Sequence, residues 1–280
     1  MKLKNSMINR LHNNIFKNAS KTYYYSSLFF PKEVRDDIFI LYAFVRSADD
    51  LVDSISQNRK GFRKFVGDYE KELKEKKSKN IVIDSFVEMV VRKRINKTWI
   101  NSFMKAMKSD LSKTNFKTIK ETEDYIYGSA DVIGLMMAKI LNLPKESYVY
   151  AQALGKSMQL SNFIRDIQVD NDLNRCYFPQ NELEKYNLRS LKFSEVSKKQ
   201  KDYKEFMHFQ INRYFKWQEK AELGFKYIPK KYRIAIKTAS DMYKLTQQII
   251  YKDPFIVYRK KVKPKALEVI SRGILNTISS

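Results

Sequence analysis

A chain of 280 residues, 43% of them apolar, can bury a sizeable core, yet its 7 Gly and 6 Pro are too few for a turn-rich sandwich or repeated glycine-rich phosphate loops. One cysteine, Cys176, and two histidines, His12 and His208, exclude an intramolecular disulfide, a Cys-based zinc cluster and a catalytic triad. Chemistry is left to carboxylates, Arg/Lys and Tyr, a set that suits hard cations such as Mg²⁺, while a formal charge of +23 suits a polyanion, with a solvated basic surface as the plainer reading.

Apolar residues recur at helical spacing nearly throughout, which predicts helices near 7–18, 32–55, 62–76, 81–93, 97–111, 121–141, 145–172, 200–226, 231–251 and 264–278. Breaks are expected at Pro31, Gly61, the lysine-rich run 74–80, Pro144, Pro179, Pro229 and Pro254. There is no internal repeat and no long linker, so the expectation is one all-α domain over 1–280. No run of about 18 uncharged apolar residues occurs, and the first residues lack a signal-peptide core. The expected location is the cytoplasm, at most resting on a membrane surface.

Two predicted helices do not read as ordinary. In the first, Tyr42, Arg46, Asp49, Asp50 and Asp53 are three or four residues apart and form one polar stripe on a helix otherwise made of Ile, Leu, Phe, Val and Ala. In the second, Gln159, Asn162, Asp166 and Asp170 repeat that design among Leu160, Phe163, Ile164 and Ile167, with Arg165 alongside. Buried carboxylates need compensating charge. A single acidic pair at this spacing is more often a solvated face, but two stripes inside apolar helices favour a shared site for Mg²⁺ bridging to diphosphate oxygens.

The motifs, in chain order, are Ser20-Lys21-Thr22-Tyr23-Tyr24, Leu41 to Asp53, Tyr125-Ile-Tyr-Gly-Ser-Ala-Asp-Val-Ile-Gly134, and Gln159 to Asp170 continuing to Asn174-Arg-Cys-Tyr-Phe-Pro179. With these the sequence resembles the squalene/phytoene synthases, over roughly residues 18–182, and most nearly the phytoene-forming branch. The resemblance implies a helical isoprenoid-synthase bundle around a central cavity. It also implies head-to-head joining of two prenyl diphosphates through a cyclopropylcarbinyl diphosphate, with two geranylgeranyl diphosphates giving phytoene. Farnesyl diphosphate giving squalene or dehydrosqualene is the alternative.

By the same resemblance, Asp49, Asp53, Asn162, Asp166 and Asp170 hold Mg²⁺, or Mn²⁺ in its place. Asp50 supports them. Ser20, Lys21, Thr22, Tyr42, Arg46, Gln159, Asn162 and Arg165 meet the substrate, and Tyr42, Arg46, Asp50, Tyr125 and Arg165 carry the catalytic roles. Tyr125 and Tyr243 are expected near the reacting carbons. The family's C-terminal diphosphate-binding arginine has no clean counterpart, since the aligned stretch reads Lys252-Asp-Pro-Phe255, and Arg259 or a neighbouring lysine is the substitute. NADPH is implied only if the product is squalene. Asp131 stands where many members carry a small residue.

Other residues read as structure: Tyr23 to Phe30 as wall and core, Cys176 as a buried spacer, and His208 as an exposed, silent histidine. A head-to-tail prenyl transferase ranks lower, because it calls for a second Asp-Asp-x-x-Asp where this chain has Arg165-Asp-x-x-x-Asp170. A basic nucleic-acid or membrane-binding helical module uses the charge alone and leaves the acidic stripes unexplained, so no nucleic-acid partner is expected.

Overall fold

The computed structural model describes residues 2–53, 57–75 and 79–278. Sixteen α-helices are seen there: α1 (Lys2–Ala19), α2 (Lys21–Ser27), α3 (Lys32–Asp49), α4 (Arg59–Glu75), α5 (Ile81–Lys93), α6 (Lys97–Ser109), α7 (Ile119–Ile126), α8 (Val132–Ile140), α9 (Tyr148–Arg165), α10 (Ile167–Asp172), α11 (Gln180–Lys185), α12 (Phe193–Val196), α13 (Gln200–Glu222), α14 (Lys230–Lys252), α15 (Ile256–Arg259) and α16 (Ala266–Ile278). No strand forms among the described residues, and one isolated bridge joins Phe116 to Pro179.

Local chemistry sets several boundaries. Asn80 caps α5 by accepting the N–H groups of Val82 and Ile83, and Arg94, in the left-handed region at φ 51°, ends it. Asn96 and Thr118 cap α6 and α7 in the same way, and Pro31, Pro179 and Pro229 stand immediately before α3, α11 and α14. Gly61 does not break the chain but lies inside α4, because one glycine costs a helix only about 1 kcal/mol.

Three long predicted helices are interrupted. The span 121–141 contains a π turn at Tyr127–Asp131, and 145–172 opens with a 3₁₀ turn at Lys145–Ser147 and breaks at Asp166 (φ −101°, ψ 14°). The span 200–226 tightens to 3₁₀ at Leu223–Tyr227. The helix expected to reach residue 55 ends at Asp49, and Asp53 lies one further turn on, its N–H bonded to the Asp49 carbonyl; residues 54–56 fall outside the described residues.

Helix α9 is the axis, packed against α13, α8, the π turn and α14. Around it runs one apolar core, with an aromatic centre where Phe44 stacks on Phe86 at 3.5 Å beside Phe65, Tyr69 and Phe103. Backbones approach closely where α9 meets α8: a Cβ on Gly134 would lie 2.2 Å from the Ala151 carbonyl oxygen, and one on Gly155 2.4 Å from that of Ala130. His208 is half-buried rather than exposed, stacked on Tyr251 with a ring nitrogen 3.0 Å from the Tyr251 carbonyl.

Candidate active site

The end of α3 carries the first acidic group. Arg46 donates to Asp49 at 2.8 Å and also pairs with Asp50, one turn away on the same face. Burial and the neighbouring Asp53 charge push Asp49 up to about 7 despite Arg46. Asp53 is met by Arg175, which comes from the loop after α10 and also donates to the Val52 and Asp110 carbonyls.

The second group sits where α9 breaks into α10. Arg165 grips Asp166 with two bonds of 2.9 and 2.6 Å, and Lys261 reaches the same carboxylate at 2.8 Å. Although burial opposes it, these cations hold Asp166 below the usual carboxylate range. Asp170 is pushed well up by burial, then by Asp166 and Asp53, with the charges of Arg175 and Lys261 opposing. Arg175 ties the two acidic groups together: its backbone N–H donates to the Asp170 carbonyl at 2.8 Å while its guanidinium pairs with Asp53.

A cationic rim adjoins them. Lys263 is pushed below the usual lysine range by burial and by the charges of Lys261, Arg165 and Lys21. Lys21 and Thr22 follow Ser20, which caps α2 by accepting from the Tyr23 N–H. Arg259, the first-named substitute for the C-terminal arginine, instead pairs with Asp253 at the surface, and its neighbour Lys261 takes the place at the site.

From this polar end an apolar cavity of about 290 Å³ runs into the bundle. Tyr23, Tyr42, Gln159 and Asn162 stand among its lining residues, followed by Leu41, Val45, Met137, Leu154 and Ile236. Tyr243 donates to Asn162 at 3.3 Å and packs on Tyr23, which donates to the Met158 sulfur at 3.2 Å. Tyr125 adjoins the acidic groups through Asp110, whose carbonyl accepts from the Arg175 that pairs with Asp53, and is not on the cavity wall. Its hydroxyl donates to the buried Asp110 at 2.8 Å, Tyr177 donates to the same carboxylate at 3.3 Å, and neither ring is among those lining the cavity.

Asp110, Arg175, Tyr177 and Lys263 had no assigned role in the sequence, and Lys261 was covered only as an unnumbered lysine beside Arg259. Arg175 and Tyr177 lie inside a quoted motif, which is a usable signal. Asp110 is one acid among Lys105, Lys108 and Lys113, and nothing local marks it.

The donor set suits a hard divalent cation: carboxylates and an amide oxygen, with the Asp49 and Asp170 charges incompletely offset. Among the described residues no three acidic or imidazole side chains already converge on one point. Mg²⁺ is commonly held by one or two carboxylates, with substrate phosphate and water completing its shell.

The family model for squalene/phytoene synthase matches residues 16–268. The chain belongs to the squalene/phytoene synthase family. The enzyme is thus a prenyl transferase of the head-to-head kind. It is 24% identical over 267 residues to a 15-cis-phytoene synthase of Synechococcus elongatus, covering 86% of this chain and 83% of that one. To a 4,4'-diapophytoene synthase of Staphylococcus haemolyticus it is 27% identical over 181 residues, 62% and 63% of the two chains. A dehydrosqualene synthase crystal structure superposes with a TM-score of 0.82 at 20% identity over 99% of both chains. A squalene synthase of Alicyclobacillus acidocaldarius gives 0.76 at 16%, covering 89% and 94%.

Proposed function

We propose that the enzyme joins two geranylgeranyl diphosphates head to head to form phytoene. The observation that carries this reading is the pair of acidic groups joined through Arg175 and paired with Arg165 and Lys261, one helical turn from Asn162 on the wall of an apolar cavity. Asp49, Asp53, Asp166 and Asp170 would hold Mg²⁺, with Asn162 assisting. The metal when bound supplies charge that stabilises departing pyrophosphate.

The side chains do the rest. Arg165, Lys261, Lys263 and Lys21 attract diphosphate oxygens and hold the prenyl chain with its tail in the cavity. Arg46 and Arg165, which pair with Asp49 and Asp166, would be released to bind diphosphate oxygens once those carboxylates held metal. Apolar walls of Met, Leu, Ile and Phe exclude water from the allylic cation, and the electron-rich faces of Tyr23, Tyr42 and Tyr243 stabilise it.

The C20 chain is favoured by small residues on the cavity wall, among them Ser26, Ser27, Gly134, Ala138, Ala151, Ala235 and Ala239. Incubating the purified enzyme with Mg²⁺ and either C15 or C20 prenyl diphosphate, with and without NADPH, and weighing the hydrocarbon tests the reading. Phytoene from C20 without reductant is expected. Turnover of C15 alone would replace it with dehydrosqualene or squalene synthesis.

A further inference from the structure

Helix α14 reaches the end of α9 at two successive turns. Tyr243 donates to the Asn162 amide oxygen at 3.3 Å. Gln247, four residues further along the same face of α14, donates to the Ser161 hydroxyl at 2.6 Å and to the Ser161 carbonyl at 3.3 Å. In a helix the carbonyl of residue i takes the N–H of residue i+4, so the Ser161 carbonyl belongs to the turn that closes on Arg165, the last residue of α9. Beyond it the helix breaks at Asp166. Gln247 therefore ties down, through side chain and backbone, the turn that carries Asn162 and Arg165 and leads into Asp166.

Packing alone does not account for a glutamine at this position. Gln247 and Ser161 are both fully buried, and the other amide atom of Gln247, Oε1, has no hydrogen-bond partner. A buried amide satisfied at one end only is less favourable than an apolar side chain of similar volume, because the stranded oxygen has lost its water. Such a local cost beside a reactive site points to a role in that site. The last turn of a helix is also where an outside tie matters most, since its carbonyls lack intrahelical partners and the end frays.

We propose that Gln247 is a positioning residue for the second acidic group: by holding the Ser161 turn against α14, it keeps Asn162, Arg165 and Asp166 in the arrangement that takes up Mg²⁺ and pyrophosphate. The inference rests on the proposed function, in which those three side chains meet metal and diphosphate. The hydrogen bonds of Gln247 go to Ser161 and to none of the three, so it acts through the turn it holds. Removing groups that orient metal ligands from behind weakens metal binding by about tenfold to a hundredfold.

Three full-chain variants test this: Q247L, S161A and the double variant S161A/Q247L. Binding of inorganic pyrophosphate in the presence of Mg²⁺, followed by calorimetric titration, should weaken by about tenfold in Q247L, and the Mg²⁺ concentration for half-maximal pyrophosphate release should rise by a similar factor. The melting temperature of Q247L in chelator should equal or exceed the parent's, because leucine fills the space and strands no oxygen. S161A should weaken pyrophosphate binding in the same direction, and the double variant no more than Q247L alone, since both changes remove one tie. Parent-like binding by Q247L would overturn the proposal, as would additive losses in the double variant. A melting temperature that falls together with binding would make Gln247 a general packing tie and overturn it as well. A parent chain that binds no pyrophosphate with Mg²⁺ would bring down the proposed function and this inference with it, whereas normal binding by both the parent and Q247L removes the inference alone.

Discussion

Asp49 and Asp166 share a chemical role in this reading but differ in what they do to stability. Asp49 has its pKa raised to about 7 by burial and then by Asp53, so its stabilising form is the protonated one: stability is full below the unfolded pKa near 3.8 and is lost as pH rises through about 7. Asp166 is lowered, so its contribution exists above 3.8 and is lost as pH falls through its folded value. In chelator at pH 8, Asp49→Asn should therefore hold or raise the melting temperature, and Asp166→Asn should lower it by stranding Arg165 and Lys261. Both should reduce Mg²⁺-dependent pyrophosphate release by roughly a hundredfold or more. Melting curves and a pyrophosphate assay on the two variants check the pair, and normal turnover by either would remove the two-group metal reading. The C-terminal cation makes a second contrast. Lys261→Gln should lower kcat/KM by about tenfold, whereas Arg259→Gln, which breaks only a surface pair with Asp253, should leave it nearly unchanged.

At the scale of elements, the α8–α9 contact brings the acidic stretch of α9 into place. Gly134→Ala or Gly155→Ala puts a methyl against backbone oxygen that cannot swing aside, so each should destabilise by about 1–3 kcal/mol and drop the melting temperature by several degrees. A melting curve like the parent's would mean that the two helices can part at little cost. The same region shows what the sequence could and could not tell. Helix α5 matches its expected span of 81–93 because Asn80 and Arg94 mark its ends in the residues themselves. The stripes Tyr42 to Asp53 and Gln159 to Asp170 were legible because helical spacing repeats within one segment. The π turn was not: there Gly128 lies close against the Ser102 carbonyl, a contact made across elements that no local spacing announces. Helices α2, α11, α12 and α15, of four to seven residues, are too short for a periodicity to show. Asp110 was silent for a related reason: it stands among lysines and gains its role only when Tyr125 arrives from elsewhere in the chain.

Across the whole molecule, charge and hydrophobicity are separated: Arg165 and Lys261 meet Asp166 where α9 ends, and the apolar cavity lies between α2, α3, α8, α9 and α14. The diphosphate end is fixed by charge, so the length of chain accepted depends on how far the cavity stays open behind it. Side-chain size on the wall sets that depth, and Ala235, buried on α14, is one of the residues keeping it open. Ala235→Phe fills space where a prenyl tail would lie, without touching a charged group. Each methylene that no longer fits is worth about 1–3 kcal/mol, so the ratio of C20 to C15 turnover should fall by at least about tenfold while Mg²⁺ dependence stays as it was. Competition between the two diphosphates, with products separated by mass, reads this directly. An unchanged ratio with normal turnover would show that the tail does not pass Ala235, and that the chain-length limit lies on another wall of the bundle.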